Sequence, residues 1–327
     1  MLPLGKLPEK TLKTIVLKRV GALRPDVVLG PGFGEDAGAV KASNSVYVCS
    51  MDPITGSKNF VGWLAVNAPA NDVAVSGGRP LWFSSTILLP KNTTREDLKK
   101  IVTQIHQACR KMNVAVVTGH SEVAASVSSP IVVGHMVGKL VVQKPIESRG
   151  AKPGDLILMA RSVALEGTAI IATDFSEQLK RKGFSNRELL RAASFIKKTS
   201  IVEPALVLAK AEVNSMHDPT EGGLIGGLYE VAQAAGVGFE IDRRKVLIDP
   251  LVSRICQAME LDPLRLISSG TLLATAPKFS DTLVKKVNGR IIGRIVSSKQ
   301  GMRVVGDGEE RIRGSVQDEL WRLFSSS

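Results

Sequence analysis

The stretch "GPGFGEDAGAV", residues 30–40, decides how the chain is read. It sets four glycines beside a carboxylate pair, Glu35-Asp36. Formally, Gly32-Phe33-Gly34-Glu35-Asp36-Ala37 matches the dinucleotide pattern GxGxxA. A Rossmann loop, however, must follow a strand and open a helix, so that pyrophosphate rests on the helix N-terminus. Here the polar turn "KASNS" (41–45) arrives at once, and "VYVCSMD" (46–52) reads as a strand ending on Asp52. No crossover helix fits between them. A P-loop is missing too: its nearest imitation, Gly134 to Lys139, is one residue short and is followed by Leu140 instead of Ser or Thr.

The two carboxylates suggest another use for the loop. Mg²⁺ takes oxygen ligands and commonly bridges one or two carboxylates to substrate phosphates. A loop that offers backbone N–H groups and Asp36 together suits a phosphate and its metal, provided that further carboxylates converge. Asp52, Asp72 after Asn71, and Asp218 before Pro219 are the candidates. Each alone also fits a turn or a helix cap, because aspartate bonds its own local backbone.

Outward from the loop, the 327 residues suit two domains. Residues 8–20 read as an amphipathic helix without a secretory h-region. A small-residue helical pattern follows at 64–76, with Pro69 predicting a kink or a late start. Residues 94–112 read as a helix with Thr94 as N-cap. Strands are expected at "VAVVTGHSEV" and "PIVVGHMVGKLVV", and "QKPIESRGAKPGD" (143–155) reads as a boundary loop. Strands and helices then alternate, and "HDPTEGGLIGGLYEVAQAAG" reads as a turn feeding a helix that ends at Gly236.

The composition is that of a globular protein, and no apolar run approaches the ~20 residues of a membrane span, so the cytoplasm is the expected compartment. Three scattered cysteines, Cys49, Cys109 and Cys256, argue against a disulfide framework. The net charge is +12, with the densest basic run at 180–198, which holds seven Lys/Arg. Leu189, Leu190, Ala193 and Ile196 recur there at helical spacing, which favours a solvated helix face. No zinc-finger, RNP-like or KH-type motif accompanies it, so nucleic acid is not the expected partner.

Taken together, "GFGEDAGAV" (32–40), "MD" (51–52), "NDVAVSGGRP" (71–80), "VVTGHSEV" (116–123) and "HDPTEGGLIGGLYEVAQAAGVGFEID" (217–242) resemble the aminoimidazole-ribonucleotide (AIR) synthetase superfamily. That group includes selenophosphate synthetase, thiamine-monophosphate kinase and the hydrogenase-maturation protein HypE. "DPTEGGL" looks most like HypE. The resemblance implies an α+β, two-domain fold. Residues 1–145 would be an ATP-binding and dimerisation domain whose strands join a second protomer in a β-barrel, and 150–327 an α/β domain covering it. It implies ATP and Mg²⁺ between the domains. It marks Gly34, Glu35, Asp36, Asn71, Asp72, Gly119 and His120 as nucleotide-site candidates, and Asp36, Asp52, Asp72 and Asp218 as the metal region.

The implied chemistry is ATP-dependent phosphoryl transfer to a carbonyl, amide or phosphate oxygen. The second substrate, small or protein-borne, is not specified, and a homodimer is expected. Two departures stand out. HypE ends in a cysteine, whereas this sequence ends "WRLFSSS" with Cys256 its last thiol. His120 also stands where relatives usually carry an acidic residue, with Glu122 two residues on. These departures keep open a second reading, a non-catalytic nucleotide-binding dimer acting in maturation, scaffolding or regulation.

Overall fold

Two sheets carry the chain, one in each half, in a computed structural model that describes residues 7–306 and 308–325. Residues 1–6, Asp307 and the last two serines lie outside them. The N-terminal half runs α1 (Glu9–Thr11), a π-turn (Leu12–Val16), β1 (Val27–Leu29), β2 (Gly38–Ala42), β3 (Ser45–Ile54), α2 (Val61–Val75), β4 (Gly78–Leu89), α3 (Arg95–Met112), β5 (Ala115–Val123) and β6 (Ile131–Leu140). Its six strands form an open sheet in the order β1-β2-β3-β6-β4-β5. Only β4 and β5 are parallel, with α3 as their crossover.

The sequence punctuates these elements as expected at α3. Thr94 and Asp97 cap each other reciprocally, and Asn113 closes the helix in the left-handed region at φ 55°. At α2 the late start is overturned: the helix begins at Val61 and runs through Pro69. Proline removes the N–H that would have bonded the Ala65 carbonyl, four residues back. That carbonyl instead lies against Gly134 of β6, where an added Cβ would come within 1.8 Å of it. Burial supplies the rest: Val61, Leu64, Val66, Val73 and Val75 are all nearly inaccessible, as suits a helix apolar all round.

The C-terminal half comprises β7 (Leu156–Ala160), α4 (Leu165–Asp174), α5 (Ser176–Arg181), α6 (Asn186–Ala193), α7 (Val202–Ala209), β8 (Ser215–His217), α8 (Gly223–Ala235), β9 (Gly238–Asp242), α9 (Pro250–Ala258), β10 (Leu272–Ala276), α10 (Asp281–Lys286), β11 (Gly289–Val296), β12 (Met302–Val305), β13 (Glu309–Ile312) and α11 (Glu319–Ser325). Its sheet order is β13-β12-β9-β11-β7-β10-β8, antiparallel except for β9–β12. One core fills this half around Ile157, Ile170, Leu224 and Phe239. A second joins the halves, packing Val66, Val73 and Phe83 with Leu158, Ile201 and Leu206. The halves therefore meet along α2 and α7, so a residue of α2 can address both. Among the described residues no helix is long and apolar enough to cross a membrane.

Candidate functional site

The glycine loop 30–37 connects β1 to β2 and lies on α8 of the other half. Gly34 adopts φ +77°, and a Cβ there would sit 2.7 Å from the Glu230 carbonyl. Both the backbone conformation and the close approach therefore require glycine. The carboxylate pair then divides its work. Glu35 accepts the backbone N–H groups of Ser148 at 3.0 Å and Arg149 at 3.2 Å, stapling the loop to the segment between the two sheets. Burial holds its carboxyl above the usual range, against the opposing pull of those two N–H donors. Asp36 instead takes His217 Nδ1 at 2.9 Å.

His217 ends β8, is 1% exposed, and also reaches Glu230 Oε2 at 3.1 Å. Burial alone would lower its pKa, but Asp36 and Glu230 outweigh it and raise the imidazolium to about 10. The charged ring bridges loop and helix, fixing Asp36 beside the next residue, Asp218.

Asp36, Asp52, Asp72 and Asp218 line one cleft of about 390 Å³, together with Gly32, Cys49 and Thr220. Ser50 and Asp52 share a face of β3 because side chains alternate along a strand. The Ser50 hydroxyl donates to Asp72 Oδ2 at 2.6 Å and lies 3.4 Å from Asp52 Oδ2. Asp72 is hemmed in from α2; burial first, then the charges of Asp52, Asp36 and Asp218, push its carboxyl well above the ordinary range. Asp218 is 2% exposed, and neither of its carboxylate oxygens has a hydrogen-bond partner. Burial and the nearby Asp36 charge raise its pKa well above normal. Asn71 and the His217 charge pull the other way; the Asn71 amide also donates to the Thr199 carbonyl and accepts the Ile201 N–H, each at 2.9 Å.

A buried carboxylate without a donor is costly unless a cation completes it. This donor set suits a hard cation such as Mg²⁺. Among the described residues, no group of three His, Cys, Asp or Glu side chains is arranged to hold a metal unaided. That agrees with Mg²⁺ practice, in which one or two carboxylates share the ion with water and phosphate oxygens.

The structure separates the remaining candidates from this cleft. Cross-strand partners place Asp52, Gly134, Ser85 and Gly119 in one row across β3, β6, β4 and β5. Gly119 is therefore three strand spacings from Asp52, roughly 14 Å. His120 follows it on the fully exposed edge strand and meets Glu122 at 3.2 Å. The three thiols are poor nucleophiles: burial raises Cys49, and pushes Cys109 and Cys256 up to about 12.

Residues 34–140 match the N-terminal domain of AIR synthase related proteins, and residues 152–305 match the C-terminal domain. The chain belongs to this family. AIR synthase related relatives include the carbamoyl dehydratase HypE of Cupriavidus necator, 29% identical over 80% of this chain and 73% of its own. The fold is shared with a HypE solved in complex with ATP, at TM-score 0.71 and 20% identity over 98% of each chain. It is shared also with AaThiL complexed with AMPPCP and TMP, at TM-score 0.76 and 19% identity over 98% of this chain and 99% of that one.

Sequence reasoning missed two buried acids behind the "DPTEGG" turn. Glu166 of α4 is 4% exposed, and Asp318 accepts the Gly222 N–H at 2.7 Å and the Leu320 N–H at 2.8 Å. Burial raises each to about 7. Their only sequence signal is an acid within a helix start or just before one, which ordinarily reads as capping. A raised carboxyl pKa makes folding less favourable as pH climbs from its unfolded value to its folded one. Thermal unfolding in EDTA should therefore show stability falling between about pH 4 and 7, by on the order of 3 kcal/mol from Glu166. Glu166→Gln should flatten that slope; an unchanged slope would remove Glu166 as its source.

Proposed function

We propose that this protein is an ATP-dependent enzyme that transfers the γ-phosphoryl group of Mg-ATP to a carbonyl, amide or phosphate oxygen of a second substrate. The observation that carries the reading is Asp218: a buried carboxylate with two unpartnered oxygens, in a cleft with three further aspartates under a glycine loop. Relatives named carbamoyl dehydratase and neighbours solved with ATP or AMPPCP support the same class.

In this reading one or two of Asp36, Asp52, Asp72 and Asp218 would hold Mg²⁺ together with water and phosphate oxygens, and the ion would neutralise phosphate charge. The chain's own contribution is rigidity. Ser50 orients Asp72, His217 holds Asp36, and Glu35 ties the loop to the linker. Preorganised groups of this kind position phosphates without reorganising during transfer. The γ-phosphorus would lose its bond to the ADP oxygen and gain one to the acceptor oxygen, with ADP departing. The test is ADP release from purified protein, screened across candidate acceptors. An acceptor-stimulated rate that Asp72→Asn abolishes supports the reading, and a rate indifferent to Asp72→Asn refutes it.

The same reading includes a homodimer. All nine residues of β5 are exposed, Val116 and Val117 by more than half, on the edge of an open sheet. Tyr47 and Trp82 stack at 5.8 Å and Met51 is 62% exposed, so the sheet offers apolar surface as well as an edge. Proteins cover or pair such edges, and a second copy closing a barrel would do both. Gly119 and His120, distant from their own cleft, would then lie in that interface. Light scattering should report twice 35.0 kDa at micromolar concentration, and a monomer would contradict the pairing.

A further inference from the structure

A second concavity, of about 460 Å³, lies where the end of α3 meets the segment leading into α7. Four cations line it: Lys111, Arg161, Lys197 and Lys198. None of them forms an ion pair among the described residues. The two carboxylates in the same lining are already engaged, Glu203 by Arg79 at 3.4 Å and Asp249 by Arg191 at 3.5 Å. The hollow is thus left with an excess of positive charge.

Three of its cations are held in place. Arg161 follows β7 with φ +66°, a left-handed conformation that a non-glycine residue adopts only where its surroundings enforce it. Its guanidinium donates to the Lys198 carbonyl at 3.0 Å and to the Ser200 carbonyl, which fixes the fork while leaving further N–H donors unassigned. The ammonium of Lys111 lies 5.7 Å over the Trp63 ring, and that of Lys198 lies 4.9 Å over Phe195. Behind the wall, Asn71 grips Thr199 and Ile201, the residues that flank Ser200. Anion sites are built from fixed N–H forks with lysines around them.

We propose that this pocket binds a small phosphate-bearing anion, at a site separate from the four-aspartate cleft. Its volume lies within the range of small-ligand pockets. A nucleic-acid strand would need only the exposed lysines, whereas the half-buried guanidinium of Arg161 is within reach of a compact group entering the hollow. The run of basic residues that composition alone left as a solvated face thereby supplies two of the ligands, Lys197 and Lys198.

The probe is inorganic pyrophosphate, titrated calorimetrically into the whole chain in EDTA at low salt, where the metal-free aspartate cleft repels it. Saturable binding at one site per chain is expected. Lys111→Glu and Lys198→Glu alter exposed side chains and leave the fold intact. Each should weaken binding about tenfold or more, since a charge-assisted contact is lost and a repulsion gained. Asp72→Asn should leave the affinity unchanged. Absence of saturable heat, affinity that survives both lysine replacements, or affinity lost in Asp72→Asn would each overturn the assignment. So would a short single-stranded RNA that binds with the same lysine dependence while pyrophosphate does not bind.

Discussion

Asp218→Asn is expected to weaken binding of ATP with Mg²⁺ about a hundredfold or more, while the ligand-free protein keeps or gains stability. The two effects have one cause. Both Asp218 oxygens are buried, and the pull of Asn71 and the His217 charge only partly offsets burial and the Asp36 charge, so the free protein bears a net cost for ionising it. Asn has the same shape and no charge, and relieves that cost. A cation near 4 Å from the carboxylate gains about 4 kcal/mol per charge at an effective dielectric of about 20, before desolvation is subtracted. What survives corresponds to the hundredfold. Calorimetry and urea unfolding of the same variant measure the two sides. A folded variant with unaltered affinity would take Asp218 out of the metal region, and a strongly destabilised one would make it a structural residue.

The second large effect belongs to His217. His217→Ala should cost about 3–5 kcal/mol of folding stability, the range for removing one partner of a buried ionic network. The imidazolium stands between Asp36 and Glu230, and its loss takes the cation from between two carboxylates that the fold brings together. The sign with pH follows from the raised pKa. Stability from this bridge is fully present below the unfolded value of 6.5 and is lost as pH rises through about 10. Wild type and variant should therefore differ most just below pH 6.5, still differ at pH 7, and converge toward pH 10 in denaturant unfolding. A difference below about 1 kcal/mol at pH 7, the level of an ordinary surface pair, would show that the bridge is not structural.

What could be read from the sequence is local. The Thr94 cap and the Gly236 stop depend on residues within a turn of one another, and both stand where the pattern puts them. The four aspartates were found through motifs, and one cleft does collect them. What escaped depends on distant partners. Glu35 meets Ser148, 113 positions away, and Asn71 meets Thr199, 128 away, so neither role has a trace in spacing. Pro69 does not delay the start of α2, because propensity weighs the helix alone, whereas Gly134 leaves room for the carbonyl that proline frees. Gly119 and His120 were grouped with the cleft by motif, yet strand order puts them on an edge, a fact that only topology supplies.

ATP and Mg²⁺ would bind as one unit, since among the described residues the carboxylates are not arranged to hold the ion unaided. Calorimetric titration of the whole chain with ATP, in EDTA and then in millimolar Mg²⁺, tests this directly, with Mg²⁺ alone as the third arm. The account predicts tight binding only when both are present, and weak binding of either alone. Equal affinity for ATP with and without the divalent ion would contradict it.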